Sequence, residues 1–169
     1  SLLHLAIRFS NFDAFIYFFQ REDAQKHIMN AHSYEPIDLV AVLPYKFGFI
    51  GRFSKDYPEI FLNWRDEYGN DLLHLVAHHN SLNFAKLLVE ETNYPIDRKN
   101  QDNLTPLLVA YLASKRDIAL YLARKGANLF HKDIYDFNML LYAIRNLDFK
   151  FFRSCLEVIN PKESKEAVE

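Results

Sequence analysis

Apolar residues along this chain fall into short clusters, and most clusters are opened by a polar residue suited to capping a helix. Ser1–Ile7 (Ser-Leu-Leu-His-Leu-Ala-Ile), Asp71–Ala77 (Asp-Leu-Leu-His-Leu-Val-Ala) and Thr105–Tyr111 (Thr-Pro-Leu-Leu-Val-Ala-Tyr) are the clearest, with weaker copies at Glu35–Ala41 and Asn138–Ile144. The clusters open at 1, 35, 71, 105 and 138, spacings of 34, 36, 34 and 33 residues. A period of this size predicts stacked repeats of one supersecondary unit. Ser1, Asp71, Thr105 and Asn138 carry side chains that accept a bond from the free N–H groups of a first helical turn. Pro36 and Pro106 suit the first helical position, where a missing N–H costs nothing. Glu35 is the poor cap. A second apolar stripe follows each clear opening, as Phe15, Phe18 and Phe19; Phe84, Leu87, Leu88 and Val89; Ile118, Leu120, Tyr121 and Leu122; and Phe149, Phe152, Cys155 and Leu156. Each unit is therefore expected to be a helix-turn-helix, with Gly126 stopping the second helix of the fourth.

In Asn100–Lys132, the elements Thr105-Pro106-Leu107, Asp117-Ile118 and Lys125-Gly126-Ala127-Asn128-Leu129 fall at offsets that make the chain resemble the ankyrin repeat, a unit of about 33 residues. Asp66-Glu67-Tyr68-Gly69 resembles its hairpin lead-in, and Asn93-Tyr94-Pro95-Ile96-Asp97 stands where the family has a Gly-Ala-Asp-Val-Asn-like segment. The resemblance implies an all-α solenoid of helix pairs joined by short β-hairpin loops. It covers residues 1–159 as one domain, with 160–169 as a polar tail or linker. The second unit is expected to be irregular: Ala41 to Trp64 keeps its apolar content but loses the spacing and carries Pro44, Gly48, Gly51 and Pro58. A shifted or bent second helix is expected there, with Trp64 plugging the unit. Because Ser1 matches a cap and not the start of a repeat, a hairpin and a capping repeat are expected upstream, and further domains downstream.

Composition narrows the function. Across 169 residues the net charge is −2, which gives no global reason to expect nucleic acid or an anionic membrane as partner. The longest stretch without Asp, Glu, Lys or Arg is the 14 residues Leu72–Ala85, short of the roughly 20 needed to span a bilayer. The single cysteine, Cys155, forms no internal disulfide, so a reducing, intracellular and cytoplasmic setting is expected. Fifteen Phe and ten Tyr beside four Gly point to a helical, aromatic-packed body, since sandwiches use more glycine in turns. Scarce glycine with abundant Phe, Tyr, Asn and Lys also hints at an AT-rich genome.

Candidate chemistry is sparse. His74 and His78 stand four apart, a zinc-binding spacing on a helix, but Leu75 replaces the glutamate that metalloproteases place after the first histidine. The resemblance gives His4 and His74 structural bonding roles instead. Cys155 lies in an apolar stripe and is expected to be core. The glycines form no phosphate-binding nest, and Glu90-Glu91 suits a solvated face. No catalytic residue, metal or cofactor is expected. What remains is the surface that the resemblance implies, a concave face of hairpin tips and exposed first-helix positions. Hairpin offsets select Glu67, Tyr68 and Asn70; Gln101, Asp102 and Leu104; and Ile134, Tyr135 and Phe137. First-helix offsets select Arg8, His78, His79, Leu112 and Arg145. By residue type, Tyr68, His78, His79, Tyr135, Phe137 and Arg145 lead as partner-binding residues, although Tyr135 and Phe137 are equally suited to packing on a neighbouring hairpin. An acidic partner facing His78 and His79 would bind more tightly as pH falls from 7 to 6. The expected function is a non-enzymatic module, monomeric in isolation, that binds a protein or peptide. The alternatives are a targeting or regulatory region of a larger enzyme or host-directed effector, and, most weakly, a metal hydrolase built on His74 and His78.

Overall fold

A polar cap followed by an apolar face recurs as a helix along the whole described part of the chain, which in this computed structural model comprises residues 2–21, 47–79 and 81–160. The helices are α1 (Leu2–Arg8), α2 (Phe12–Phe19), α3 (Phe47–Asp56), α4 (Pro58–Asn63), α5 (Leu72–His79), α6 (Leu82–Lys86), α7 (Pro106–Leu112), α8 (Arg116–Arg124), α9 (Met139–Arg145) and α10 (Phe149–Ile159). No strand occurs among the described residues, so the loops expected as hairpins are tight turns without a ladder.

The capping side chains explain where the helices begin. Asp71 Oδ1 accepts from the backbone N–H of Leu73 at 3.0 Å and His74 at 3.1 Å, and Asn138 Oδ1 accepts from Leu141 at 3.0 Å. Thr105 caps α7 through the Leu108 N–H, with Pro106 at the first helical position. Asn11 and Asp148 do the same for α2 and α10. The openings expected at Ser1 and Glu35, with Pro36, lie outside the described residues. Between first and second helices the chain reverses through a residue in the left-handed region, Ser10 (φ 55°), Ser114 (φ 62°) and Leu147 (φ 54°).

First helices pack in one layer, α5 on α7 and α7 on α9, and second helices in another, α6 on α8 and α8 on α10. Leu72, Leu73, Leu107, Leu108, Ile118 and Leu122 fill the space between them at or below 1% exposure. The aromatic load has a specific use near the irregular unit. Phe12 and Phe15 meet Phe53 edge-on at 6.3 and 5.5 Å, Phe53 meets Phe61 at 5.7 Å, and Phe61 meets Tyr94 at 5.5 Å. This chain of rings carries the core from α2 to the end of the α6 unit.

The irregularities have local causes. α3 meets the second helix α2 through Phe53, whose ring packs on Phe12 and Phe15, so α3 takes the second-helix place. α4 is then an additional helix, separated from α3 at Pro58, whose ring cannot continue the preceding helix. The buried Trp64 follows it, and the Leu62 carbonyl at its end accepts from both Arg65 and Arg98. The unit opened by Asp71 is one residue longer than the unit opened by Thr105. It absorbs the extra residue as a single π turn, Leu87–Glu91, after which Asn93 (φ 51°) does the work of Gly126 (φ 92°).

Two stability outcomes follow. Leu107, fully buried, should cost about 2–5 kcal/mol when truncated to alanine, and Thr105→Ala about 1 kcal/mol as a lost cap; denaturant midpoints that reversed this order would refute the helix start. Leu147 is 71% exposed and holds a left-handed backbone at no benefit to packing. Leu147→Gly should therefore raise unfolding free energy by about 0.5–1 kcal/mol, the left-handed penalty relieved less the entropy glycine adds to the unfolded chain.

Candidate functional site

Among the described residues three turns project between the helix pairs, and one side chain builds each of them. Asp66 Oδ1 accepts from the N–H of Tyr68 at 2.9 Å and of Asn70 at 2.7 Å. Asn100 Oδ1 makes the same two bonds to Asp102 and Leu104, at 3.0 and 2.9 Å, and Asp133 Oδ1 makes them to Tyr135 and Phe137, at 2.9 and 3.0 Å. Asp and Asn suit this role because a short side-chain oxygen mimics a backbone carbonyl two residues back. Each turn is closed by a backbone bond from its first residue to the carbonyl of its fifth. The fourth residue always has positive φ: Gly69 at 77°, Asn103 at 57° and Asp136 at 65°. Gly69 is also crowded, since a Cβ there would meet the Gln101 backbone nitrogen at 3.2 Å.

The turns are tied to one another. The Gln101 N–H donates to the Tyr68 carbonyl at 3.0 Å, and the Ile134 N–H to the Asp102 carbonyl at 3.3 Å. Asn100 Nδ2 donates to Asn70 Oδ1 at 2.9 Å, and Asn103 Nδ2 to the Lys132 carbonyl at 2.7 Å.

This register sorts the expected site residues. The third position of each turn holds Tyr68, Asp102 and Tyr135, all exposed, with the tyrosines at 59% and 72%. The fifth position turns back toward the first helices, and Asn70, Leu104 and Phe137 are all half-buried. Phe137 therefore packs inward: its ring lies 5.2 Å from that of Tyr142, and the Arg145 guanidinium covers it at 5.3 Å. Tyr142 in turn donates to Asp133 Oδ2, which braces the turn from below. Seven residues after each cap, His78, Leu112 and Arg145 occupy one position and are exposed. Ile134 and Phe130, at 55% and 59% exposure, are large apolar side chains near the third turn that ranking by residue type passed over. The hairpin offsets select Ile134, whereas Phe130 lies outside them.

His79 differs from its neighbour. It is half-buried, its ring is 5.0 Å from that of His78, and burial, then the charges of His78 and Lys115, push its imidazole down to about 4. The expected gain of charge between pH 7 and 6 is thus corrected for His79, which stays neutral there. The buried His74 and Cys155 are equally committed. His74 Nδ1 is 2.7 Å from Asp71 Oδ1 and Nε2 is 2.9 Å from the Leu104 carbonyl, so neither nitrogen faces His78 or a free volume. Cys155 has no exposed surface, and burial, with the charge of Asp148 adding to it, pushes its thiol up to about 12. Glu90 is not merely solvated: Lys125 lies 2.9 Å away and the Tyr121 hydroxyl donates to it at 3.1 Å, tying the π turn Leu87–Glu91 to α8 and its end.

The lowered His79 value makes a pH prediction. The unfolded chain takes up this proton near 6.5 and the folded chain only near 4, so stability is full above 6.5 and is lost as pH falls toward 4. His79→Gln should flatten the decline in melting temperature between about pH 6.5 and 5 relative to the parent. Parallel curves for the two proteins would show that His79 is not the group responsible.

No helix among the described residues is long and apolar enough to cross a membrane. The family model for ankyrin repeats (3 copies) matches the sequence over residues 29–133 and again over 73–161. A search of the curated proteins finds no match. Ankyrin repeats are in general protein–protein interaction modules and typically carry no catalytic activity. On the matched residues, the repeated caps and the tied turns, the chain belongs to the ankyrin-repeat family.

Proposed function

We propose that residues 1–159 act as one non-enzymatic module that binds a protein or peptide along the side formed by the turn tips and the exposed first-helix positions. The observation that supports this is a pair of exposed rows in repeat register, Tyr68, Asp102 and Tyr135 on the tips and His78, Leu112 and Arg145 on the first helices. Each tip backbone is already held by hydrogen bonds within and between turns, so binding there would order little further chain. Tyrosine and arginine are also the types that contribute most when an interface buries them. Phe137 supports the surface from beneath, by holding Arg145 in place, and His79 contributes as a neutral ring.

The test is selection of binders from a displayed peptide library, followed by titration against folded variants. Tyr68→Ala should weaken binding by about 2 kcal/mol or more, and the double variant His78→Ala, His79→Ala should weaken it as well, while Lys86→Glu on the second-helix layer should leave it unchanged. The reverse pattern, with only Lys86→Glu losing affinity, would move the site to the opposite side.

A further inference from the structure

Arg65 and Arg98 come from different loops and meet at one atom, the Leu62 carbonyl oxygen at the end of α4. Arg65 donates to it through Nη1 at 3.4 Å, and through the same nitrogen to the Trp64 carbonyl, while Arg98 donates through its own Nη1. Both side chains are half-buried, so the two like charges are held side by side in partial shelter from water. One donor is enough to satisfy a helix-end carbonyl. Closing α4 therefore accounts for one arginine and not for the pair.

The carboxylates nearby are committed elsewhere, and among the described residues neither arginine makes an ion pair. Asp66, next to Arg65, accepts from the N–H groups of Tyr68 and Asn70 and from Asn70 Nδ2. Asp97, next to Arg98, accepts from the Asn128 N–H at 2.9 Å. Asp71 is fully buried and accepts from the N–H groups of Leu73 and His74. Burial and then the Asp71 charge push the Tyr94 phenol up, and the Arg65 and Arg98 charges oppose them, so these groups share one neighbourhood. The Arg98 guanidinium lies 5.6 Å from the centre of the Tyr94 ring. The Tyr94 hydroxyl, on a side chain 3% exposed, has no hydrogen-bond partner among the described residues. Two cations and an unspent buried donor thus lie together without an acceptor for either.

The donors that remain select the ligand. Each arginine spends Nη1 alone, which leaves Nε and Nη2, an edge that pairs with an oxyanion through two parallel bonds. A carboxylate has two oxygens and one charge, which answer one such edge. A phosphate group has three free oxygens and nearly two charges near neutral pH, which answer both. We propose that Arg65 and Arg98 form a receptor for a phosphate group, carried on a phosphorylated side chain or free as the ion, where α4 meets the turns Asp66–Asn70 and Asn100–Leu104. The inference does not depend on where a protein partner binds along the turn tips.

Trp64 is the single tryptophan of the chain and its carbonyl is an acceptor for Arg65, so its fluorescence reports on the site. The full chain is titrated at constant ionic strength and about pH 7.5, where phosphate is mostly dianionic, with inorganic phosphate and with an otherwise neutral phosphoserine peptide. Both should give a saturable change, the peptide with glutamate in place of phosphoserine should bind at least about tenfold more weakly, and the serine peptide should not bind. Tighter binding of the phosphopeptide than of phosphate assigns the site to a modified side chain, and the reverse assigns it to the free ion. No saturable change with either, or equal affinity for the glutamate peptide, would overturn the receptor. Arg98→Lys keeps a cation and a donor for the Leu62 carbonyl but loses the two-bond edge, so it should melt like the parent and bind phosphate about tenfold more weakly. Arg124→Gln, at an exposed arginine of α8, should change nothing. Parent-like phosphate affinity in both Arg98→Lys and Arg65→Lys would overturn the role given to the pair.

Discussion

Each helix pair in this chain has a face that only the next pair can cover, and that constraint organises everything else. Leu108 and Tyr111 in the α7 unit are each 1% exposed because the α9 unit lies on them, whereas Leu141 and Ile144, at the same repeat positions one unit later, are 42% and 47% exposed. The amino acids are as apolar in one place as in the other. Burial here is a property of neighbouring units and not of a single one, as a quasi-one-dimensional stack requires. Arg116 shows the same dependence in a polar interaction: it bonds Asp148 of the following unit at 2.6 Å while its guanidinium lies 3.9 Å over the ring of Tyr111.

A stack of this kind tolerates changes in unit length only if the interfaces keep their register. The extra residue of the α5 unit is taken up in the π turn Leu87–Glu91, on the second-helix side, and the turn beginning at Asn100 still meets both its neighbours. The longer insertion before Trp64 becomes a separate helix, α4, whose end is closed by arginines from two different segments. The π turn falls away from the turn tips, and the tips on either side of it remain joined through the backbone.

How much of this was visible in the sequence depends on the kind of force involved. Caps and first-helix stripes were legible because they are local: Asp71, Thr105 and Asn138 cap within three residues of themselves. The exposed row of His78, Leu112 and Arg145 was legible as an offset. The direction of a turn residue was not. Tyr135 and Phe137 are two apart and chemically alike, yet one projects and the other lies under Arg145, because the turn reverses the chain between them. Nor was the state of His79 legible, since its lowered value comes first from burial, then from His78 and from Lys115 in another unit. The two-arginine closure at Leu62 joins residues 36 apart and leaves no periodic trace.

The tied turns also separate what a tip presents from where it is held. Spacing between tips is set by backbone bonds, from Gln101 to the Tyr68 carbonyl and from Ile134 to the Asp102 carbonyl, and by asparagine side chains beneath them. The third turn position is exposed in all three turns, which lets it be tyrosine, aspartate and tyrosine in turn without moving its neighbours. The fourth position is more constrained. Its backbone is left-handed in all three turns, and at Gly69 the Gln101 nitrogen lies 3.2 Å from where a Cβ would stand, so a side chain at 69 would push the next tip out of line, whereas Asn103 and Asp136 carry side chains at the same position. The exposed third position thus varies beside a residue whose backbone keeps one conformation throughout.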